Sequence, residues 1–189
     1  VTQDKVDRLA AALDDTRRAF IERQPLFFVT TASSDPAGTV NLSPKGQTLC
    51  RVLGPNLVGW LDYPGSGNET AAHTRDNSRI TVMFCSFDRT PGILRLYGHG
   101  RAVGLDSPEL AAHRKAFEAD FHPYVRQAFF VDVDRVQTSC GYAVPLMEFV
   151  EERDTLDRWC ENRLQPRDVV AGLPAPGHLL RRDGSVFGA

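Results

Sequence analysis

The feature that most constrains this chain is a series of short runs rich in apolar, aromatic and β-branched residues, separated by tight turns. Such runs are typical of β-strands, and strands joined by short turns pair antiparallel. The sequence therefore predicts an antiparallel barrel or highly curved sheet with helices at its edges, and not a doubly wound α/β fold. The predicted strands are 26–33, 39–42, 48–54, 56–63, 79–87, 93–105 and 126–144.

Three of these strands carry further information. The run 79–87, RITVMFCSF, is nearly all apolar, which predicts a central strand buried on both sides. Gly98 and Gly100 interrupt the strand 93–105 and indicate a bulge or sharp bend. The segment SPKG, 43–46, is expected to break the second strand.

Four segments have a helical pattern. Residues 4–23 place apolar side chains on one stripe, and Pro25 ends that helix. A short helix is predicted over about 69–76, and one over 107–120 begins with the strong signal Ser107-Pro108. The last amphipathic segment is 148–163.

Composition limits the class of protein. With 189 residues, a net charge of −2 and 42% hydrophobic residues, the chain suits one globular domain and gives no reason to expect nucleic acid or an acidic membrane as partner. No apolar run reaches the ~20 residues of a membrane helix, and the first residues lack a signal-peptide pattern. The four cysteines form no CxxC pair and suit a reducing cytoplasm.

The expected organisation is one domain over 1–165 that includes the N-terminal helix, followed by a tail over 166–189. The tail carries proline and glycine with little periodicity. It is either a loosely ordered arm or a segment that lies over a partner subunit.

The stretch GSGNETAAH, 65–73, is the first candidate binding site. A helix N-terminus offers unpaired N–H groups and a partial positive charge, glycines allow close backbone approach, and Ser66, Asn68 and Thr70 add polar side chains. The alternative is an ordinary turn with Asn68 as N-cap. The stretch matches neither GxGxxG nor the Walker pattern.

Two cations favour the anion site. Lys45 lies in SPKG, and Arg51 lies in the otherwise apolar run TLCRVL, where an arginine must find water or an anion. The hairpin 48–63 leads directly into the loop, so both cations are expected near it. Arg51 has the alternative of simply facing solvent from its strand.

Other chemistry is weakly indicated. His99, between two glycines, faces either a ligand or solvent, and His73 reads as an exposed helical residue. There is no HxxxH, HExxH or GxSxG, so neither a zinc site nor a serine hydrolase is predicted, and no catalytic residue is assigned.

An ordered set of motifs resembles the FMN-binding pyridoxamine 5′-phosphate oxidase-related proteins over roughly residues 20–150. The motifs are NLSPKG, RVL, WLDYPGSGNETAAHTRDNSRITVMFCSF, RLYGHGRAV and SCGYAVP. The resemblance implies a split β-barrel that forms a homodimer, with two FMN sites at the subunit interface. It also implies that basic strand residues and a polar loop at a helix start hold the FMN phosphate.

The resemblance can be carried over residue by residue. Lys45 and Arg51 resemble the family's basic phosphate contacts. The polar loop corresponds to Ser66, Gly67, Asn68 and Thr70. The strand residues that the resemblance places along the flavin ring are Trp60, Leu61 and Asp62.

Two departures bear on the substrate. The oxidase's basic Ser-Arg-Lys run is replaced here by Ser66-Gly67-Asn68-Glu69, and its C-terminal substrate segment has no counterpart. The resemblance therefore implies an FMN-dependent oxidoreductase whose small-molecule substrate is unknown and is expected to differ from pyridoxamine phosphate. The alternatives are a flavin, deazaflavin or haem-binding protein without turnover, and a structural or regulatory barrel with a degraded site.

Overall fold

A seven-stranded antiparallel sheet forms the body of the chain, in the order β2-β1-β5-β6-β7-β4-β3. The structure is a computed structural model that describes residues 13–47, 49–65, 68–163, 179–180 and 186–187. The strands of the sheet are β1 Phe27–Ala32, β2 Val40–Lys45, β3 Arg51–Gly54, β4 Leu57–Asp62, β5 Arg79–Cys85, β6 Ile93–Val103 and β7 Gln127–Ser139. The prediction of a mainly β, antiparallel fold with flanking helices is confirmed.

The helices flank this sheet. They are α1 Asp15–Glu22, α2 Glu69–Asn77, α3 Pro108–His113 and α4 Thr155–Arg163, with a 3₁₀ helix Arg114–Asp120 directly after α3. Two two-residue strands, β8 Leu179–Leu180 and β9 Val186–Phe187, pair with each other. Among the described residues, no helix has the length and apolar character that crossing a bilayer requires.

The core lies on both faces of β4 and β7. On one face Trp60 stacks on Phe129 with ring centroids 5.1 Å apart, and Phe27 meets the edge of Trp60 at 5.4 Å. On the other face, Leu61 and Phe130 pack with residues of α3 and the 3₁₀ helix. Because successive strand residues point to opposite faces, the apolar pairs 60–61 and 129–130 serve both clusters.

The strand 79–87 is central, as predicted, since β5 lies between β1 and β6. Its burial alternates, however: Ile80, Val82 and Phe84 are buried, whereas Thr81 and Met83 are half-buried. Burial on both sides is therefore incomplete within a single chain.

An irregularity is present where Gly98 predicts a bulge or bend, but its extra residue, Asp134, lies on β7 rather than on β6. The pairing of β6 with β7 shifts register between Tyr97 and Gly98. A Cβ atom on Gly98 would lie 1.9 Å from the carbonyl oxygen of Asp132, so the two backbones approach more closely than any side chain allows.

The prediction that SPKG breaks the second strand is wrong. Strand β2 continues through Ser43 and Pro44 to Lys45. It is an edge strand whose one partner is β1, so the missing N–H of Pro44 can face away from the ladder. The chain leaves the strand afterwards, and Gln47 adopts a positive φ of 60°.

Three helix predictions need correction. The segment 107–120 begins at Pro108 with Ser107 as N-cap, as predicted, but changes to a 3₁₀ helix at Arg114. The last helix begins at Thr155 rather than 148, and Phe149 and Val150 remain exposed, so no buried face stabilises helix there. Of the helix predicted over 4–23, the structure has a helix only from Asp15 to Glu22, with the extended Asp14 as N-cap, and the residues before Leu13 lie outside the described part of the chain.

The last predicted strand, 126–144, ends earlier than expected. Strand β7 stops at Ser139, and Gly141 follows with a φ of 65° against the backbone of Gly92. The structure of 166–178, 181–185 and 188–189 lies outside the described residues, so the prediction for the tail stays a prediction.

Candidate functional site

A cleft opens where the N-terminus of α2 meets the ends of β2, β4 and β7. Strands β4 and β7 pair antiparallel with Asp62 opposite Gln127, so the end of one strand lies beside the beginning of the other. We call this the α2 cleft; its volume is about 200 Å³, open solvent included. It is lined by Ser43, Lys45, Asp62, Asn68, Glu69, Thr70, Arg126 and Phe129.

A buried carboxylate lies in the wall of the cleft. The side chain of Asp62 is 4% exposed. Its Oδ2 accepts hydrogen bonds from Arg126 Nε and Gln127 Nε2, each at 2.8 Å, and its Oδ1 lies 3.6 Å from Lys45 Nζ. Both cations of the cleft are thus already paired with an acid of the same chain.

The N-terminus of α2 lacks a side-chain cap. Asn68 is the N-cap residue, but its side chain makes no capping hydrogen bond. Its Oδ1 instead accepts from Gln127 Nε2 at 3.0 Å. The first N–H groups of a helix have no intrahelical partner, and within the described part of the chain the Asn68 side chain does not cap these donors of α2.

A second polar network fixes α2 against the sheet. Asn41 Nδ2 donates to Thr70 Oγ1 at 3.0 Å and to Thr31 Oγ1 at 3.3 Å. Asn41 Oδ1 accepts from Ser43 Oγ at 2.8 Å, and His73 Nδ1 lies 3.1 Å from Thr31 Oγ1. This network holds the start of α2 and the hydroxyl of Ser43 on the same side of the cleft.

The donor set of the cleft fits a phosphate group. Lys45 and Arg126 supply two positive charges, the start of α2 supplies uncapped N–H groups, and Ser43 and Thr70 supply hydroxyls. Asp62 and Glu69 oppose them with two negative charges. The cleft can therefore hold an anion, but its formal charge is balanced.

The structure brings together Lys45, Asp62, Asn68 and Thr70 of the predicted site. Ser66 and Gly67, the remaining loop residues, lie outside the described part of the chain. The loop therefore contributes a helix start with a displaced N-cap side chain, rather than the ordinary cap that was the alternative.

Arg51 does not line the cleft. Its guanidinium donates to both carboxylate oxygens of Asp120 at 2.6 to 2.8 Å, and the Asp120 side chain is 9% exposed. The anion that an arginine in this apolar strand needs is Asp120, an acid of the 3₁₀ helix. The Arg51 side chain therefore lies neither on an open strand face nor in the cleft.

Trp60 and Leu61 are fully buried. Their side chains belong to the two core clusters described above. Of the three strand residues predicted to follow the flavin ring, Asp62 is the one whose side chain lines the cleft.

The histidines lie elsewhere. The exposed ring of His99 lies 2.8 Å from Ser78 Oγ through Nδ1 and 3.3 Å from Asp134 Oδ2 through Nε2, and it does not line the cleft. No group of three or more His, Cys, Asp or Glu side chains suited to a metal occurs in the part of the chain that the structure describes.

Sequence reasoning missed Arg126, Gln127, Ser43 and Asn41. Arg126 carried a usable signal, because it opens the apolar run RQAFFV as Arg51 interrupts TLCRVL. Its relevance depends on the register that places Gln127 opposite Asp62, and local sequence does not determine that pairing.

Comparison with known families assigns the chain. The family model described as pyridoxamine 5′-phosphate oxidase matches residues 13–140, which include all seven strands of the sheet. The chain belongs to the pyridoxamine 5′-phosphate oxidase-related family, and its sheet is of the split-barrel class.

Individual proteins agree with this assignment. The pyridoxamine 5′-phosphate oxidase family protein ustO of Aspergillus flavus is 40% identical over 146 residues, which are 76% of this chain and 58% of that protein. The chain thus spans less than two thirds of the length of this relative.

Solved structures share the fold. HupZ of Group A Streptococcus aligns with a TM-score of 0.52 at 16% identity, over 78% of this chain and 99% of that chain. A substituted form of HupZ aligns with a TM-score of 0.54 at 18% identity, over 67% of this chain and 99% of that chain.

Proposed function

We propose that this chain binds FMN, with the phosphate in the α2 cleft, and uses it as an oxidoreductase on a small molecule. The observation that carries the proposal is the uncapped start of α2 facing two cations in a chain of this family. An anion at such a position is stabilised by the helix dipole and by charge-assisted hydrogen bonds.

Each part of the cleft has a separate task in this proposal. Lys45 and Arg126 would neutralise the phosphate, and the first N–H groups of α2 and the hydroxyl of Thr70, whose oxygen accepts from Asn41, would donate to its oxygens. The Asn41 network would keep Ser43 and α2 in place before the ligand arrives. FMN itself would supply the hydride or electron transfer.

The rest of the ligand must lie outside the cleft of one chain. Even with open solvent included, the cleft offers only about 200 Å³, which is too little to enclose a whole cofactor. The edge strand β2 beside the cleft exposes Val40 and Leu42, at 69% and 63%. We infer that a second copy packs near this edge and completes the flavin site, so that the working unit is a homodimer.

The substrate is proposed to differ from pyridoxamine phosphate. The loop before α2 has Ser66-Gly67-Asn68-Glu69 where the resemblance to the oxidase calls for a basic run. These four residues include no basic side chain that could neutralise a second phosphate beside that of FMN. Incubation with pyridoxamine phosphate and FMN should therefore yield no pyridoxal phosphate; its formation would refute this part.

The absorption spectrum of the purified protein tests the cofactor. Flavin bands, and release of FMN on denaturation, are expected. A Soret band would favour haem, and a deazaflavin released on denaturation would favour that cofactor. Colourless protein that takes up no FMN on titration would refute the proposal.

Redox activity needs its own measurement. Anaerobic addition of a nicotinamide cofactor to the FMN-loaded protein, followed by a candidate acceptor, should bleach and then restore the flavin bands. A flavin that neither nicotinamide nor dithionite reduces while bound would indicate a binding protein without turnover.

The proposed location is the cytoplasm. All four cysteines are free, and Cys50, Cys85 and Cys160 are buried as thiols, which suits a reducing compartment. Cell fractionation checks this; recovery in a secreted or oxidising fraction would contradict it.

A further inference from the structure

The unusual feature of the α2 cleft is an acid at its centre. Asp62 is almost completely buried, yet it lies within ion-pair distance of both cations that the proposed function assigns to the phosphate. A carboxylate can only accept hydrogen bonds when ionised, so it cannot donate to a phosphate. Asp62 therefore does not act as a direct phosphate ligand.

We propose that Asp62 is a built-in counter-anion that competes with the ligand's phosphate for Lys45 and Arg126 and so sets the affinity of the site. This inference rests on the proposed function and deepens it. Together with Glu69, the carboxylate of Asp62 balances the two positive charges of the cleft in the free protein. It then repels a phosphate that carries about −1.5 to −2 charges at neutral pH.

The geometry favours competition between Asp62 and a phosphate for the two cations over a purely structural role of Asp62. Arg126 and Lys45 have side chains 13% and 23% exposed, so their charges face the cleft through a limited opening. Charges in such a partly desolvated place interact more strongly than on an open surface. The Asp62 carboxylate lies 2.8 Å from Arg126 Nε and 3.6 Å from Lys45 Nζ, so it repels any second anion that binds between these cations.

Asp62 also acts through Gln127. Gln127 Nε2 donates both to Asp62 Oδ2 and to Asn68 Oδ1, which keeps the Asn68 side chain off the N-terminus of α2. The alternative is a purely structural role, in which Asp62 only braces the neighbouring strands through these hydrogen bonds. The two roles predict opposite effects on phosphate affinity when the charge is removed.

The test measures how much the phosphate contributes to binding. Flavin fluorescence titrations give the ratio of the riboflavin dissociation constant to the FMN dissociation constant for the wild type and for Asp62→Asn. The asparagine keeps an acceptor oxygen for Arg126 and Gln127 but carries no charge. We expect this ratio to rise about tenfold in Asp62→Asn. A ratio that is unchanged or falls would overturn the proposal and leave Asp62 as a brace.

A matched control comes from the other buried Arg–Asp pair. Asp120 is 9% exposed and pairs with Arg51 outside the residues that line the cleft. Asp120→Asn removes the same charge in a similar setting, and its ratio should equal that of the wild type. An equal rise in both variants would show that the effect is not specific to the cleft, and would also overturn the proposal.

Two measurements cover a variant that does not fold. Asp62→Ser, which keeps a hydroxyl acceptor, is the second variant and should also raise the ratio. In the wild type, a cleft with compensated charge predicts that the ratio falls less than about threefold between about 50 and 500 mM salt. A fall of more than about tenfold would indicate uncompensated cations and overturn the proposal.

Failure of the proposed function is recognised separately. If neither riboflavin nor FMN binds the wild type, the flavin assignment fails. The rise in melting temperature caused by inorganic phosphate then decides the role of Asp62. A larger rise in Asp62→Asn than in the wild type and Asp120→Asn supports the counter-anion, whereas equal rises overturn it.

Discussion

At the scale of residues, the acid that each cation meets decides its role. Lys45 and Arg51 look alike in the sequence, as basic residues in strand segments six positions apart. Lys45 meets Asp62 at the edge of the α2 cleft, whereas Arg51 is held by Asp120 of the 3₁₀ helix. Each cation has an acidic partner, but the Lys45 pair lies in the α2 cleft, whereas the Arg51 pair joins β3 to the 3₁₀ helix.

Substitution separates these two roles. Lys45→Met should weaken FMN binding about tenfold or more, because it removes one of the charges that would face the phosphate. Arg51→Met should leave FMN affinity within about twofold but lower the free energy of unfolding by about 3 kcal/mol, since it leaves Asp120 unpaired. Flavin fluorescence titration and urea unfolding measure the two effects. A loss of affinity in Arg51→Met equal to that in Lys45→Met would restore Arg51 as a phosphate contact.

Cys50 gives a pH dependence. It is 3% exposed, and burial raises the pKa of its thiol far above the ordinary value. In the unfolded chain the thiol ionises near pH 8.5, so its contribution to stability is complete below that pH and is lost as the pH rises further. The free energy of unfolding should fall between about pH 8.5 and 10.5, and less steeply in Cys50→Ala. Equal slopes in the two proteins would show that Cys50 does not contribute.

At the scale of elements, the site depends on how strand ends and a helix start are brought together. The end of β4 and the beginning of β7 meet because the two strands pair in register from Leu57 to Asp62. The irregularity at Gly98 lies between β7 and its other neighbour, where the pairing with β6 shifts by one residue. The alignment of three strands therefore depends on one close backbone approach.

Gly98→Ala tests that approach. The added Cβ atom would lie 1.9 Å from a carbonyl oxygen that belongs to the backbone of β7 and cannot rotate away. We expect a loss of about 3 kcal/mol or more in the free energy of unfolding, measured with urea. Gly54→Ala is the control, because its Cβ atom would meet only Leu57 at an ordinary 3.8 Å. Similar stability losses in the two variants would argue against a special role for the bulge.

The elements that the sequence alone predicts are those that depend on local sequence patterns. All seven strands, the place of the irregularity at Gly98 and the start of α3 could be predicted, because apolar runs, glycines and cap residues act within a few positions. The extension of β2 through Pro44 could not, since it depends on β2 being an edge strand. The partners of Arg51 and Asp62 could not either, because Asp120 and Arg126 are more than 60 residues away in the chain.

At the scale of the whole molecule, the exposed apolar surface bears on the proposed homodimer. The edge strand next to the α2 cleft exposes two large apolar side chains, Val40 and Leu42. The segment after β7 adds Tyr142, Leu146, Met147, Phe149 and Val150, all more than half exposed. Apolar surface of this extent is typical of a protein–protein interface.

Leu42→Glu should therefore disrupt the proposed homodimer. A charge placed among apolar side chains at an interface would be buried without a partner. Light scattering coupled to size exclusion should show twice the chain mass for the wild type and a larger monomer fraction for Leu42→Glu, with weaker FMN binding. Ala112→Glu, at an exposed position on α3 outside both β2 and the segment 142–150, should remain dimeric. A monomeric wild type that binds FMN with full affinity would contradict the dimer.

The most direct measurement of the central claim is an equilibrium titration of FMN fluorescence with the flavin-free wild-type protein. We expect saturable quenching at one FMN per chain. Riboflavin should bind more weakly, because the α2 cleft would hold the phosphate that riboflavin lacks. Equal affinity for FMN and riboflavin would contradict the assignment of the cleft. No binding of either ligand would contradict the claim that this chain is a flavoprotein.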